Sequence, residues 1–135
     1  MDARNIGLRN IEVADTKICS IDGNNDKLIY RGYDILDLVN HSTFEETSYL
    51  LLLGELPRNG QLSDFSRRLR EARALPPELL ARMKNRRHTP RPMVVLQSSV
   101  CELADYDTDL DDDTKEANIN RAINLISKIP TIVAA

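Results

Sequence analysis

The sequence predicts a predominantly α-helical fold carrying one small N-terminal β-hairpin. Apolar residues recur at helical spacing in successive stretches between Ser42 and Ala135. Gly54, Pro57, Pro76-Pro77 and Pro92 fall at the ends of those stretches, where helices start and stop. Upstream, a cluster of turn formers separates two short strand-like runs.

The hairpin comes first. Lys17-Ile-Cys-Ser-Ile21 and Lys27-Leu-Ile-Tyr30 flank Asp22-Gly-Asn-Asn-Asp26, a dense turn sequence. Leu28-Ile-Tyr-Arg-Gly-Tyr-Asp-Ile35 follows, with an arginine and a glycine between two tyrosines in a chain that is only 4% aromatic. Gly32 suits a close turn, and the rings of Tyr30 and Tyr33 are expected to anchor its ends by burial. Arg31 has two readings, a structural salt bridge or a contribution to ligand binding. Asp34 is placed to cap a short helical turn through Leu38.

Ser42-Thr-Phe-Glu45 fits a capping box, in which hydroxyl and carboxylate satisfy each other's free amides. The helix it opens runs through Leu50-Leu-Leu-Leu53 to Gly54. Four consecutive leucines cover most of its circumference, which implies burial on several sides. A second helix is expected over about 61–73, with Leu62, Phe65 and Leu69 in register. Pro76-Pro77 opens a third, Glu78 to about Asn85. Pro92 opens a fourth through about Ala104, with Met93, Leu96, Val100 and Leu103 on one face and Val94, Val95 and Cys101 making the other sides apolar. The fifth begins near Thr114 and carries the stripe Ile119, Ala122, Ile123, Ile126, Ile129. No repeat, linker or domain boundary is visible within 1–135.

The bulk numbers exclude several functional classes. At 135 residues, 41% hydrophobic and 29% charged, the chain is of ordinary globular composition for about one domain. A formal charge of −3 does not by itself point to nucleic acid, membrane or polyanion partners. Cys19 and Cys101 have no metal-type spacing and read as reduced thiols of an intracellular protein. No apolar run approaches a bilayer span, and the N-terminus lacks a signal core. The expected location is the cytoplasm, or a matrix-like compartment after processing. The apolar end, Ile129-Pro-Thr-Ile-Val-Ala-Ala135, suggests a chain cut inside a helix.

Few residues tempt a chemical reading. Asp105, Asp107, Asp109, Asp111, Asp113 and Glu116 occupy positions 1, 3, 5, 7, 9 and 12 of an EF-hand-like register. Leu110 stands where that loop needs glycine, and Asp112 where it needs an apolar residue, so a solvated connection is the favoured reading. Residues 67–91 hold nine of the eighteen lysines and arginines. They lack the interleaved aromatics of single-strand readers, so outward-facing arginines, some paired with Glu71, Glu78 or the acidic loop, are expected. His41 and His88 stand outside any catalytic spacing. No catalytic, cofactor-binding or metal-binding residue is assigned.

Taken together, Gly7-Leu8-Arg9, Ile21-Asp22-Gly23, the stretch Leu28–Ile35, Ser42-Thr-Phe-Glu-Glu46 and Leu50-Leu-Leu-Leu-Gly-Glu-Leu-Pro57 closely resemble the N-terminal part of citrate synthases. Arg91-Pro92-Met93 stands where that family usually has His-Pro-Met before a helix. Ile126-Ser-Lys-Ile-Pro-Thr-Ile-Val-Ala-Ala135 resembles the start of a later long helix. These pieces run through nearly the whole chain.

The resemblance implies a homodimeric or hexameric, almost all-α enzyme, of which 1–135 is the N-terminal portion of the large domain. Such an enzyme condenses acetyl-CoA, or propionyl-CoA, with oxaloacetate and releases CoA, giving citrate or 2-methylcitrate. The acyl-CoA is a substrate, and no cofactor is implied. An aspartate and a histidine enolise the acyl group, a second histidine polarises the oxaloacetate carbonyl, and arginines clamp its carboxylates. In the family these groups lie beyond residue 135. The 135 residues alone are therefore expected to be inactive, with the helices around Met93–Leu103 and Ile119–Ala135 at the dimer interface. The alternative is a stand-alone oligomerisation or binding module on the same scaffold.

Overall fold

The computed structural model describes residues 14–86, 91–108 and 110–135. It is mostly helical with a small three-stranded antiparallel sheet, and it divides into two compact units, Met1–Leu56 and Pro57–Ala135. The sequence shows no linker at that point.

In the first unit, β1 (Cys19–Asp22) pairs antiparallel with β2 (Lys27–Tyr30), in the register Cys19↔Tyr30 to Asp22↔Lys27. Asp22 holds the connecting loop together. Its Oδ1 accepts from the backbone N–H groups of Asn24 and Asn25, and its Oδ2 accepts from Asn25 Nδ2 at 2.7 Å. The amide of Asn25, then burial opposing it and the two backbone donors, leave this carboxyl below its ordinary value. A third strand, β3 (Tyr33–Asp34), extends the hairpin by pairing with β2.

Asp34 caps α1 (Ile35–His41), its side chain accepting from Leu36 N–H. Helix α2 (Phe44–Leu53) opens one residue later than its sequence suggests. Its N-cap is Thr43, whose hydroxyl accepts from Glu46 N–H while Glu46 Oε2 accepts from Thr43 N–H at 2.7 Å. Ser42 is already engaged as the C-cap of α1, its N–H donating to the Leu38 carbonyl at 2.9 Å. Two overlapping hydroxyl–glutamate pairs fit the pattern, and the end of α1 selects between them. Gly54 closes α2 in the left-handed region at φ 96°, where a Cβ would be strained. Of the four leucines only Leu50 is fully buried; the other three are half-buried.

The second unit contains α3 (Asn59–Glu71), α4 (Pro77–Lys84), α5 (Pro92–Glu102), a 3₁₀ turn (Leu103–Tyr106) and α6 (Lys115–Ala134). Leu75, Leu79 and Ile132 form a buried core, against which Leu80, Met83, Leu96, Val100 and Leu103 pack. Phe65 and Leu69 of α3 and Ile123 of α6 are also buried. Met93, expected on the same face as Leu96 and Val100, is 71% exposed in the first turn of α5. Helix α6 begins at the expected cap, Thr114, and continues through Pro130. Proline has no N–H, so the Ile126 carbonyl loses its ladder partner there.

Candidate functional site

The turn that first drew notice is a structural joint. Arg31 and Gly32 form the two-residue connection between β2 and β3, both at positive φ, 49° and 93°. Two left-handed residues in succession match the twist of a tight hairpin, and glycine adopts that state without strain. Arg31 Nη2 donates to the Leu51 carbonyl at 3.1 Å. That carbonyl belongs to the last turn of α2, where carbonyls lack ladder partners. The expected salt bridge is thus replaced by a bond to a helix end, which carries partial negative charge. Arg31 Nε is buried without a hydrogen-bond partner. Tyr30 is half-buried, but Tyr33 is 41% exposed, so ring burial anchors one end of the turn only. Tyr33 sits opposite Tyr30 at the rim of the sheet, where one ring face meets solvent.

The acidic loop supplies its own cation. Arg121 Nε donates to Asp107 Oδ2 at 2.8 Å, and Arg121 Nη1 donates to the Asp112 carbonyl at 2.7 Å. Asp112 Oδ1 accepts from Thr114 N–H at 2.8 Å, tightening the entry to α6. Thr114 chiefly, with a contribution from Arg121, holds the Asp112 carboxyl below its ordinary value. Asp107, in turn, raises the Arg121 guanidinium further. Among the described residues, no group of three or more histidine, cysteine or acidic side chains is arranged to hold a metal. Asp109 lies outside the described residues.

Three arginines of the basic segment, Arg67, Arg82 and Arg86, are held in ion pairs. Arg67 bridges Asp64 at 2.6 Å and Glu71 at 2.7 Å on the surface of α3. Glu102 of α5 receives Arg82 Nε at 3.1 Å and Arg86 Nη2 at 3.3 Å from the α4 side. Arg82 also donates to the Tyr106 hydroxyl, and Arg86 to Ser98 Oγ. These arginines clamp α4 to α5. The carboxylate acceptors are Asp64, Glu71 and Glu102. His41 is exposed, with Nδ1 3.1 Å from the Asp37 carbonyl of its own helix. His88 lies outside the described residues. Cys19 and Cys101 are free thiols, and no described helix is long and apolar enough to cross a membrane.

Lys128 is the residue that sequence reasoning missed. It sits midway along α6, and its Nζ donates to the Ala72 carbonyl at the end of α3 and to Asn124 Oδ1. Burial pushes its ammonium below the ordinary lysine value. A lysine inside the apolar pattern of α6 was the available signal. It lines a cleft of about 450 Å³ with Val100, Leu103, Tyr106, Leu125 and Arg121. Such a cleft is amphipathic, but among the described residues it presents no acid–base pair involving histidine.

The comparisons supply what the local chemistry does not. The family model described as "Citrate synthase, C-terminal domain" matches residues 7–135. The citrate synthase of Saccharolobus solfataricus is 36% identical over 128 residues, covering 95% of this chain and 33% of that protein. The citrate/2-methylcitrate synthase of Bacillus subtilis is 32% identical over 129 residues, covering 96% and 35%. The solved citrate synthase of Pyrobaculum aerophilum superposes with a TM-score of 0.86 at 35% identity, covering 95% of this chain and 34% of that one. This chain therefore spans about a third of the length of the curated relatives it matches. With a family match over nearly all its residues and the same helical scaffold, the chain belongs to the citrate synthase family.

Proposed function

We propose that these residues form the first part of the large domain of an enzyme that condenses acetyl-CoA or propionyl-CoA with oxaloacetate. The products are citrate or 2-methylcitrate and free CoA, a transferase step of the tricarboxylic acid cycle type. The observation that supports the enzyme class is the family match over residues 7–135. On this reading the chain is scaffold. The groups that move the proton and clamp the oxaloacetate carboxylates are supplied by other residues of the enzyme, which uses no cofactor. Met93, Val94 and Val133, exposed on α5 and α6, support a role for these helices in self-association as a dimer or hexamer, in the cytoplasm.

A chimaera tests it. Residues 7–135 replace the matching third of the Saccharolobus enzyme, and CoA release is followed with a thiol-reactive dye. The folded chimaera is expected to release CoA from acetyl-CoA and oxaloacetate, whereas the 135 residues alone release none. A monodisperse, folded chimaera without turnover would favour the non-catalytic module. Turnover by the 135 residues alone would overturn the placement of the catalytic groups.

A further inference from the structure

Asn59-Gly60 is the one Asn-Gly pair in the sequence, and the fold places it at the opening of α3. We propose that Asn59 is a site of spontaneous backbone-assisted deamidation. In this step the Gly60 amide nitrogen attacks Cγ of Asn59. The new N–Cγ bond closes a succinimide ring, the Cγ–Nδ2 bond breaks, and ammonia leaves with the amide proton. Water then opens either carbonyl of the ring, giving aspartate or isoaspartate. One water enters and one ammonia departs, and neither oxidant nor enzyme is required.

Several features of the structure converge on this step. Asn59 and Gly60 are both exposed, so water reaches the ring. A Cβ built on Gly60 would meet nothing within 4 Å, so no packed neighbour covers this residue. Glycine also lets the peptide swing with little steric cost. Gly60 N–H is among the first amides of α3, which have no intrahelical acceptor. The N-cap residue, Arg58, offers no side-chain acceptor to it, and Gln61 Oε1 is spent on Arg58 N–H at 2.9 Å. The Gly60 N–H is therefore outside the helix ladder, while the Asn59 carbonyl of the same peptide accepts from Ser63 Oγ at 3.1 Å. The first turn of α3 contains no acid, so an aspartate product would place the only negative charge at the positive end of the helix dipole. An isoaspartate product would instead lengthen the backbone by one atom and misalign that turn.

Among the other described asparagines none precedes a glycine, Asn24 and Asn25 in the β1–β2 turn included. Asn40, Asn85 and Asn118 are exposed but precede His41, Arg86 and Ile119, whose side chains crowd the attacking nitrogen. The side chains of Asn120 and Asn124 accept from Arg68 and Lys128.

The test ages the full-length protein at mildly alkaline pH and digests it with pepsin at acidic pH, which prevents ring closure during handling. Mass mapping and an isoaspartyl methyltransferase assay read the product at each asparagine. Conversion is expected at Asn59 ahead of Asn40, Asn85 and Asn118, with isoaspartate present, and Gly60→Ala should abolish the lead. The same protein unfolded in urea serves as the reference. Conversion of Asn59 in urea but none in the folded protein would show that α3 protects the site, and would overturn the proposal. So would equal rates at Asn59 and Asn40, or an unchanged rate in Gly60→Ala.

Discussion

Leu79→Ala probes the core of the second unit directly. Leu79 lies in α4, is completely buried, and shares a cluster with Leu75 and Ile132. Truncation removes the apolar branch of the side chain, at about 0.8 kcal/mol per buried methylene equivalent. The surrounding helices relax only in part, so a cavity adds to the loss. Buried leucine-to-alanine changes of this kind cost about 3–5 kcal/mol. At a urea slope of about 2 kcal/mol/M, the midpoint should fall by about 1.5 M or more with the slope unchanged. Equilibrium unfolding by circular dichroism measures this, and amide exchange in α4 and α6 assigns the transition to the second unit. Val39→Ala, on an exposed position of α1, is the control and should stay within about 0.5 kcal/mol. A loss below about 1 kcal/mol at Leu79 would refute the packing described for α4 and α6.

Four further expectations follow from local geometry. Thr43→Ala removes the cap of α2 and should cost about 1 kcal/mol, with Thr43→Ser close to neutral; thermal melts decide. Glu46 is held below its ordinary value by Thr43, chiefly through its backbone N–H and then its hydroxyl. A carboxyl depressed in the folded state stabilises it above the unfolded pKa, and that gain disappears as pH falls through the folded pKa. The acid-side loss of stability should therefore be shallower in Glu46→Gln. Arg31→Ala should lower the melting temperature of the full-length enzyme more than it changes KM, while Arg31→Gly, relieved of a left-handed side chain, should lose less. Arg31→Gly melting below Arg31→Ala would sink the strain argument. Calcium should leave the melting temperature unchanged, because Arg121 already neutralises Asp107. A rise with calcium concentration, as selective binding to the folded state demands, would reinstate the cation loop.

How much of this was visible in the sequence depends on the range of the cause. Helices punctuated by proline and glycine read correctly because capping is local: Thr114, Gly54 and Pro77 sit where expected. The start of α2 was off by one residue because Ser42 is taken as the C-cap of α1, a competition that no single-helix pattern contains. Burial read less well. The stripe of Leu96, Val100 and Leu103 meets the core as expected, but Met93 in the first turn of α5 and Cys101 off the stripe are exposed, since periodicity does not give how far along a helix its packing extends. Arg31 and Lys128 were the hardest. Each satisfies the carbonyl end of a distant helix, and neither a carboxylate nor a motif marks a backbone acceptor in sequence.

The Lys128–Ala72 bond also bears on kinetics. It joins residues 56 positions apart, so the intervening chain must be ordered before the ammonium can find its carbonyl. An interaction that long is expected to form late, on the native side of the folding barrier. It therefore acts as a brake on unfolding and leaves the folding rate almost untouched. The lysine that sets no chemistry sets a lifetime: how long α3 and α6 stay joined once the second unit has formed.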